Sequence, residues 1–423
     1  MKETAAEKCL KFIDEGVSCY HVVENMGKRL DKAGFIMLDE RDRWDLHKGG
    51  SYYVKRGGSS LIAFRVPEKE MKGFHIVASH SDSPSFKLKT NPEFPSERQY
   101  LRLNTESYGG MIYSTWFDRS LSVAGRVVLE EEAYPVSVNV NIDKDLLVIP
   151  SVAIHMNREA NKGIEFNPQT DLLPLMGSDK VKGYLGEELG RLAGAKEEDI
   201  LGSDLYLYVR EKGKIAGADG ELMISPRLDD LECVYASMEA ILETYPEDCC
   251  SVHAVFNNEE VGSLTMQGAA ATFLKDTLMR IGEAFGACGS DYLRLIAGSF
   301  MISADNAHAL HPNHPEKADV VNKPVLNGGI VIKHHGGQKY TTDGYSEGVM
   351  KLICRKAGVP YQDYHNRSDI AGGSTLGNLS TAQVAVPSVD IGLAQLAMHS
   401  AVETAGSKDI EYLLKALESF FQQ

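Results

Sequence analysis

Cysteine pairing is the first thing this sequence lacks. Its seven cysteines, Cys9, Cys19, Cys233, Cys249, Cys250, Cys288 and Cys354, are odd in number and form no C-x-x-C pair. That removes the basis for a disulfide framework and fits thiols acting as small core residues in a reducing compartment. Long apolar runs are missing too. No stretch approaches the ~20 residues that span a bilayer, and the opening MKETAAEKCLKF has no apolar signal-peptide core. The expectation is a cytoplasmic protein with no membrane partner. Positive charge is in deficit, with 44 Lys+Arg against 59 Asp+Glu and a net charge of -15. This argues against nucleic acid or an anionic membrane as a general partner, while leaving room for a local basic pocket. H-E-x-x-H, G-x-S-x-G and P-loop patterns are absent as well, so a serine hydrolase or a P-loop NTPase has no support.

What is present suits a soluble globular protein of one large domain or two, with 423 residues, 43% hydrophobic and 24% charged. Leu10, Ile13 and Val17 are spaced by three and four, which predicts one helix from Thr4 to Asp31. SYYVKRGGSSLIAFRVP predicts two strands around a turn at Gly57–Ser59, and FHIVASHSDSP a strand that opens into a polar loop at His80. Over residues 91–225, strand-like runs such as YLRLNTES, VSVNVNID and DLYLYVRE predict a β-rich insertion. Beyond it strands and helices alternate again. The chain closes on an amphipathic helix carrying Ile410, Leu413, Leu414, Leu417, Phe420 and Phe421. The alternation implies an α/β fold, a mostly parallel central sheet flanked by helices, formed by residues 1–90 and 226–423.

Potential ligands collect where apolar runs end. HIVASHSD ends in His80 and Asp82, HAVFNNEE in Glu259 and Glu260, and FMISAD in Asp305. QLAMHS carries His399, and Asp229 stands at the start of a predicted helix in SPRLDDLE. Open α/β sheets place their sites outside the carboxyl ends of strands, so these segments can converge on one crevice. Each residue also has an ordinary alternative. His80 suits a surface loop, Asp82 a turn, Asp229 a helix N-cap, Asp305 a cap for the segment after it, and His399 a satisfied core position. Glu259 and Glu260 would point to opposite faces of a continuing strand, so they share a site only if the strand stops before them. Two histidines and three carboxylates exceed the roughly three protein ligands of one catalytic zinc. They match a two-metal site with one bridging carboxylate and ions ~3.5–4 Å apart. His308, His311 and His314 repeat every third residue, but Pro312 and Pro315 oppose a helix and predict a loop that supports the site. KHHGGQK, Lys333 to Lys339, is a basic island that suits either a solvated turn or a pocket for an anionic group.

In order along the chain, ASHSDSP, YGGMIYSTWFDRSLSVAGRV, IPSVAIHMNR, SPRLDD, NNEEVGS, SADNAHALHPNH, NRSDIAGGSTLG and QLAMHS resemble the aspartyl aminopeptidase family of co-catalytic zinc peptidases. The resemblance implies a zinc-peptidase type fold whose insertion, 91–225, serves as a dimerisation domain. Six such dimers would form a tetrahedral dodecamer with active sites facing an inner chamber. It also implies two divalent ions per subunit, zinc in the first place, with cobalt or manganese as alternatives. His80 would bind one ion, Asp229 bridge both, Glu260 and Asp305 supply further carboxylates, and His399 serve the other ion. Glu259 would be the general base, and Asp82 the carboxylate that orients His80. His155 of AIHMNR would reach an active site, from the neighbouring subunit, as a substrate-binding residue or else a metal ligand. Its ordinary alternative is a buried structural histidine. Lys333 would pair with an acidic substrate side chain. The implied activity is removal of N-terminal residues, Asp or Glu above all, from peptides. SPRLDDLECVY and GGSTLGNLS depart from the commonest family wording and leave a broad or neutral preference open. The rival readings are another two-metal amidohydrolase, such as an N-acyl amino acid deacylase, and a non-catalytic shell that retains metal structurally.

Overall fold

The run GFHIVASH is apolar on both alternating faces, as a strand covered on both sides should be. In the computed structural model, which describes residues 3–423, it forms the strand Gly73–His80 in the middle of a nine-stranded sheet. Among the described residues the order across that sheet is Ile36–Leu38, Ser51–Arg56, Ser60–Arg65, Cys249–Phe256, Gly73–His80, Phe300–Ala304, Ser388–Gly392, Ile330–His334 and Tyr361–His365. The four central strands, from Cys249–Phe256 to Ser388–Gly392, run parallel, so their carboxyl ends share one edge. Val77, Val255, Ile302 and Val389 face a core shared with the helices Ala5–Glu15, Cys19–Lys32, Leu228–Glu243 and Asp409–Phe421. Ile76, Ala78, Val252, Ala254 and Met301 face a second core with Phe273–Ala284, Ser290–Ala297 and Leu376–Gln383. This is the expected α/β architecture.

This sheet belongs to a unit that comprises the chain up to Asp82, Gly213–Met398 and Glu403–Gln423; a second unit comprises Ser83–Lys212 and His399–Val402. The second unit is an antiparallel six-stranded sheet, ordered Val136–Asn141, Leu121–Leu129, Ile200–Val209, Ser85–Ser96, Tyr100–Tyr108 and Leu175–Ser178. Phe86, Leu103, Trp116, Val123, Leu205 and Leu207 fill its core. Residue 91 lies inside the strand Ser85–Ser96, which pairs within this sheet. At the other boundary, Lys214–Ala216 already pairs with Leu222–Ser225 in a small sheet of the first unit. Among the described residues, no helix is long and apolar enough to cross a membrane.

The amino-terminal helix differs from its expectation. It is two helices, because Gly16 closes the first and the extended Ser18 opens the second. A Cβ at Gly16 would sit 2.9 Å from Val22 Cγ2 and 3.3 Å from Leu231 Cδ1, so the close crossing needs a residue without a side chain.

Three histidines of the first unit are held neutral by burial, His21 and His75 at about 4 and His253 at about 3. Their folded values lie below the unfolded one. Their contribution is therefore present above about pH 6.5 and is lost as pH falls through that value towards 4. Burial raises Asp409 to about 7 and Glu259 to about 8, which adds stability over the same fall in pH, so the histidine effect is read as a difference between two proteins. His253 Nε2 lies 3.0 Å from Ser79 Oγ, so His253→Gln keeps a polar partner there, and from pH 7 to 5 the chelator-treated parent should lose thermal midpoint relative to it by scanning calorimetry. A difference between the two proteins that is independent of pH over this range would contradict the assignment.

Candidate metal centre

Phe256 lies opposite His80 in register, and there the strand stops. Asn258 turns the chain with φ 62°, and the Asn257 side chain accepts the Asn258 N–H at 2.8 Å while donating to Ser59 Oγ at 2.8 Å. Glu259, Glu260 and Val261 form a single 3-10 turn, closed by Gly262 N–H to the Glu259 carbonyl at 2.9 Å. Gly262 takes φ 97°, which glycine adopts without a Cβ clash. The two glutamates are thus on a turn, and the alternation of a strand no longer separates them.

Asp82 fixes that turn. Its Oδ1 accepts the Glu259 N–H and its Oδ2 the Glu260 N–H, each at 3.2 Å. The same carboxylate is 3.5 Å from His80 Nδ1, which also lies 3.1 Å from the Asp82 carbonyl oxygen. With Nδ1 engaged, Nε2 faces Asp229 Oδ1 at 3.5 Å and Asp305 Oδ1 at 3.8 Å. Asp229 sits in the first turn of Leu228–Glu243 with non-helical φ -78° and ψ 110°, and its N–H donates to Glu403 Oε2 at 3.1 Å. Arg227, with left-handed φ 57°, precedes this turn, and the chain kinks at Asp229 and Asp230 before the regular helix runs on. Asp305 follows the strand Phe300–Ala304, held by its N–H on the Ile391 carbonyl at 3.0 Å. Lys333, 3% exposed, donates to the Asn306 carbonyl at 2.8 Å and stands 3.6 Å from Asp305 Oδ2.

Sequence reasoning misses Asp230. It is fully buried, its Oδ2 accepts the His80 N–H at 3.1 Å, and its Oδ1 has no hydrogen-bond partner. The doubled aspartate of SPRLDD is the available signal, but a helix-start argument singles out only its first member. Glu232, Asn306 and Glu403, all buried, escape the same reasoning.

The donor atoms of His80, Asp229, Asp230 and Asp305 lie within 4.8 Å of one another, as do those of His80, Glu259 and Glu260. Burial works against a charge on His80, yet Asp229, Asp305 and Asp82 outweigh it and hold the imidazole well above its ordinary value. Burial pushes Glu259 up to about 8; His80 opposes the rise, and Asp305, Asp82 and Asp229 add to it. Burial likewise lifts Asp230 far above the carboxylate range, against the pull of His80. Buried carboxylates that face one another repel unless protons or a cation neutralise them. Imidazole and carboxylate donors at this spacing, with no thiolate, form a set that fits zinc.

His399 belongs to the second unit, where Nδ1 lies 2.8 Å from the Gly110 carbonyl oxygen and φ is 66°. His155 is in the same unit, exposed, between exposed Ile154 and Met156. His308 ends a two-residue strand, and the chain through His311 and His314 is not helical until the 3-10 turn Pro315–Lys317. In the basic island, Lys339 Nζ donates to the Ala371 and Gly372 carbonyls, each at 2.9 Å, and so ties down the glycine-rich loop.

Known proteins resemble this chain over nearly its whole length. Residues 12–421 match the sequence profile of the family described as Aminopeptidase I zinc metalloprotease (M18). A probable M18 family aminopeptidase 2 of Clostridium acetobutylicum is 46% identical over 424 residues, 98% of either chain. A chain from the cryo-EM structure of the Ape4 and Nbr1 complex superposes with a TM-score of 0.95 at 36% identity, covering 99% of this chain and 85% of that one. The S. cerevisiae mApe1 dodecamer superposes with a TM-score of 0.86 at 28% identity, covering 98% and 96%. This chain therefore belongs to the M18 family of zinc metalloproteases and is a metallo-aminopeptidase.

Proposed function

We propose that the protein removes acidic N-terminal residues from peptides with the help of two divalent ions, zinc being the family's metal. The observation that carries this reading is the approach of His80 Nε2, Asp229 and Asp305 to one point beside the Glu259–Glu260 turn. His80, Asp229 and Asp305 would hold one ion, and Asp229, Glu260 and His399 the other. For His399 the support is the QLAMHS motif, together with an Nδ1 engaged by a carbonyl, which leaves Nε2 as the donor atom. Bound zinc would polarise the scissile carbonyl and lower the pKa of the attacking water towards about 7. Glu259 takes a proton from that water and returns it to the leaving amine. Asp82 keeps Glu259 in place through its main-chain N–H and orients His80.

Lys333, the buried cation beside Asp305, is assigned the acidic side chain of the substrate. His155 is assigned a contact with substrate in the active site of a neighbouring subunit, consistent with its exposure. The unit around Ser83–Lys212 is the dimerisation domain, and the assembly is a tetrahedral dodecamer built from dimers; the mApe1 dodecamer lends support by its fold. Free cysteines throughout the described chain fit a cytoplasmic location.

A panel of Asp-, Glu- and Leu-anilides and N-acetyl amino acids, run on zinc-reconstituted protein with and without chelator, tests the reading. The acidic anilides should be cleaved at least ~10-fold faster in kcat/KM than the Leu-anilide, a difference of about 1.4 kcal/mol. Chelator should abolish all turnover, and the acetylated compounds should remain intact. Hydrolysis confined to the acetylated compounds would replace the aminopeptidase mechanism, and equal rates on Asp and Leu would withdraw the acidic preference.

A further inference from the structure

The helix Leu228–Glu243 carries, beyond its two aspartates, a buried carboxylate that the proposed reaction leaves idle. Glu232 has no exposure; its Oε1 accepts a hydrogen bond from Asn306 Nδ2 at 2.7 Å, and its Oε2 has no hydrogen-bond partner. Gln395, 1% exposed, accepts from the same Nδ2 at 3.2 Å. Cys233 Sγ donates to Asn306 Oδ1 at 3.6 Å. The Asn306 side chain is thus gripped from the helix and from the strand Ala394–Leu396. Its main-chain carbonyl holds Lys333 Nζ at 2.8 Å, and Lys333 is 3.6 Å from Asp305 Oδ2. Asn306 is also the residue that follows Asp305 in sequence.

A carboxyl group with no exposure is costly to keep, and an apolar side chain in the same helix would be cheaper to bury. The hydrogen bond that Glu232 makes is the one to Asn306. We infer that Glu232 is a positioning residue: by fixing the Asn306 side chain it sets the carbonyl that holds Lys333, and with it the spacing of Lys333 from Asp305. The inference rests on the proposed roles of Asp305 as a zinc ligand and Lys333 as the cation for an acidic side chain. Without Glu232, Asn306 Nδ2 retains only the longer Gln395 contact, and the Asn306–Ala307 peptide that carries the carbonyl keeps its N–H on the Leu393 carbonyl at 2.8 Å but loses its side-chain support. The carbonyl that anchors Lys333 then has more play, and Lys333 shifts towards Asp305. Selection of acidic residues and retention of zinc weaken together.

Glu232→Ala and Glu232→Gln separate this from a structural effect, because glutamine keeps an acceptor for Asn306. For Glu232→Ala, KM for the Asp-anilide should rise about 10-fold while KM for the Leu-anilide moves less than about 2-fold. Its zinc content after dialysis should fall below that of the parent. Glu232→Gln should restore both readings, with thermal midpoints measured for all three proteins. An unchanged Glu232→Ala, a Glu232→Gln as impaired as Glu232→Ala, or an equal loss on both substrates with full zinc would overturn the inference. If the parent itself cleaves neither anilide or shows no acidic preference, the proposed function or its selectivity fails. The comparison of zinc content between the two variants then still decides the role of Glu232.

Discussion

Glu259→Gln should bind zinc and assemble like the parent protein while kcat falls by about 10²–10⁴, the usual range for loss of a general acid–base group. The substitution removes the proton acceptor and little else. Its backbone N–H still donates to Asp82 Oδ1, and the turn is still closed by Gly262 N–H on the residue 259 carbonyl. The neighbouring ligand set, His80 with Asp229 and Asp305, does not pass through its side chain. Zinc content by elemental analysis and turnover on the Asp-anilide should therefore part company. Glu260→Gln is the control on the same turn. It should lose zinc as well as turnover, because its carboxylate is assigned to an ion. Were Glu259→Gln to keep parental turnover, the proton would be moved by some other group. Were it to lose zinc as Glu260→Gln does, the division of labour between the two glutamates would be wrong.

Much of this arrangement is legible from the sequence because it follows the strands. GFHIVASH and CCSVHAVF are apolar on both faces, so a two-sided parallel sheet and the polar residues at its carboxyl ends can be read together. His80, Glu259, Glu260 and Asp305 all follow from that one rule. What stays hidden depends on local conformations that apolar periodicity does not encode. The non-helical dihedrals of Asp229 and Asp230 put Asp230 Oδ2 on the His80 N–H, where a regular helix start would suggest a cap. The left-handed Asn258 makes a turn of what could have been two more strand residues. Glu232 is hidden for a related reason: in LECVYASM it has the look of an exposed polar position on an amphipathic helix, whereas that helix is buried nearly all round. Gly16 shows the same limit on a smaller scale, since the 3–4 spacing of Leu10, Ile13 and Val17 runs straight through the break.

Asp229→Asn should produce the largest loss, and it should do so with little cost to the metal-free fold. The substitution preserves size and the main-chain N–H that Glu403 accepts at 3.1 Å. It removes the charge from the carboxylate proposed to bridge both ions. Zinc affinity should fall by more than the ~10–100-fold that loss of an outer-shell partner costs, and turnover at limiting zinc should fall to background. Stability separates this from misfolding. In the metal-free parent, Asp229 and Asp305 face the same His80 nitrogen and Asp230 is buried beside them, so repulsion among the carboxylates opposes their attraction to the His80 imidazole. A neutral amide at position 229 relieves part of the repulsion and gives up part of the attraction, so the metal-free variant should melt close to the metal-free parent. Zinc at 100 times its Kd stabilises a single site by about 2.7 kcal/mol, so the zinc-loaded parent should melt well above its own metal-free form. The variant should gain little. Two melts of each protein, with zinc and with chelator, read the whole argument. If the metal-free variant melts far below the metal-free parent, Asp229 is holding up the fold and not an ion. If zinc stabilises both proteins equally, the bridging assignment is lost even though the aminopeptidase family stands.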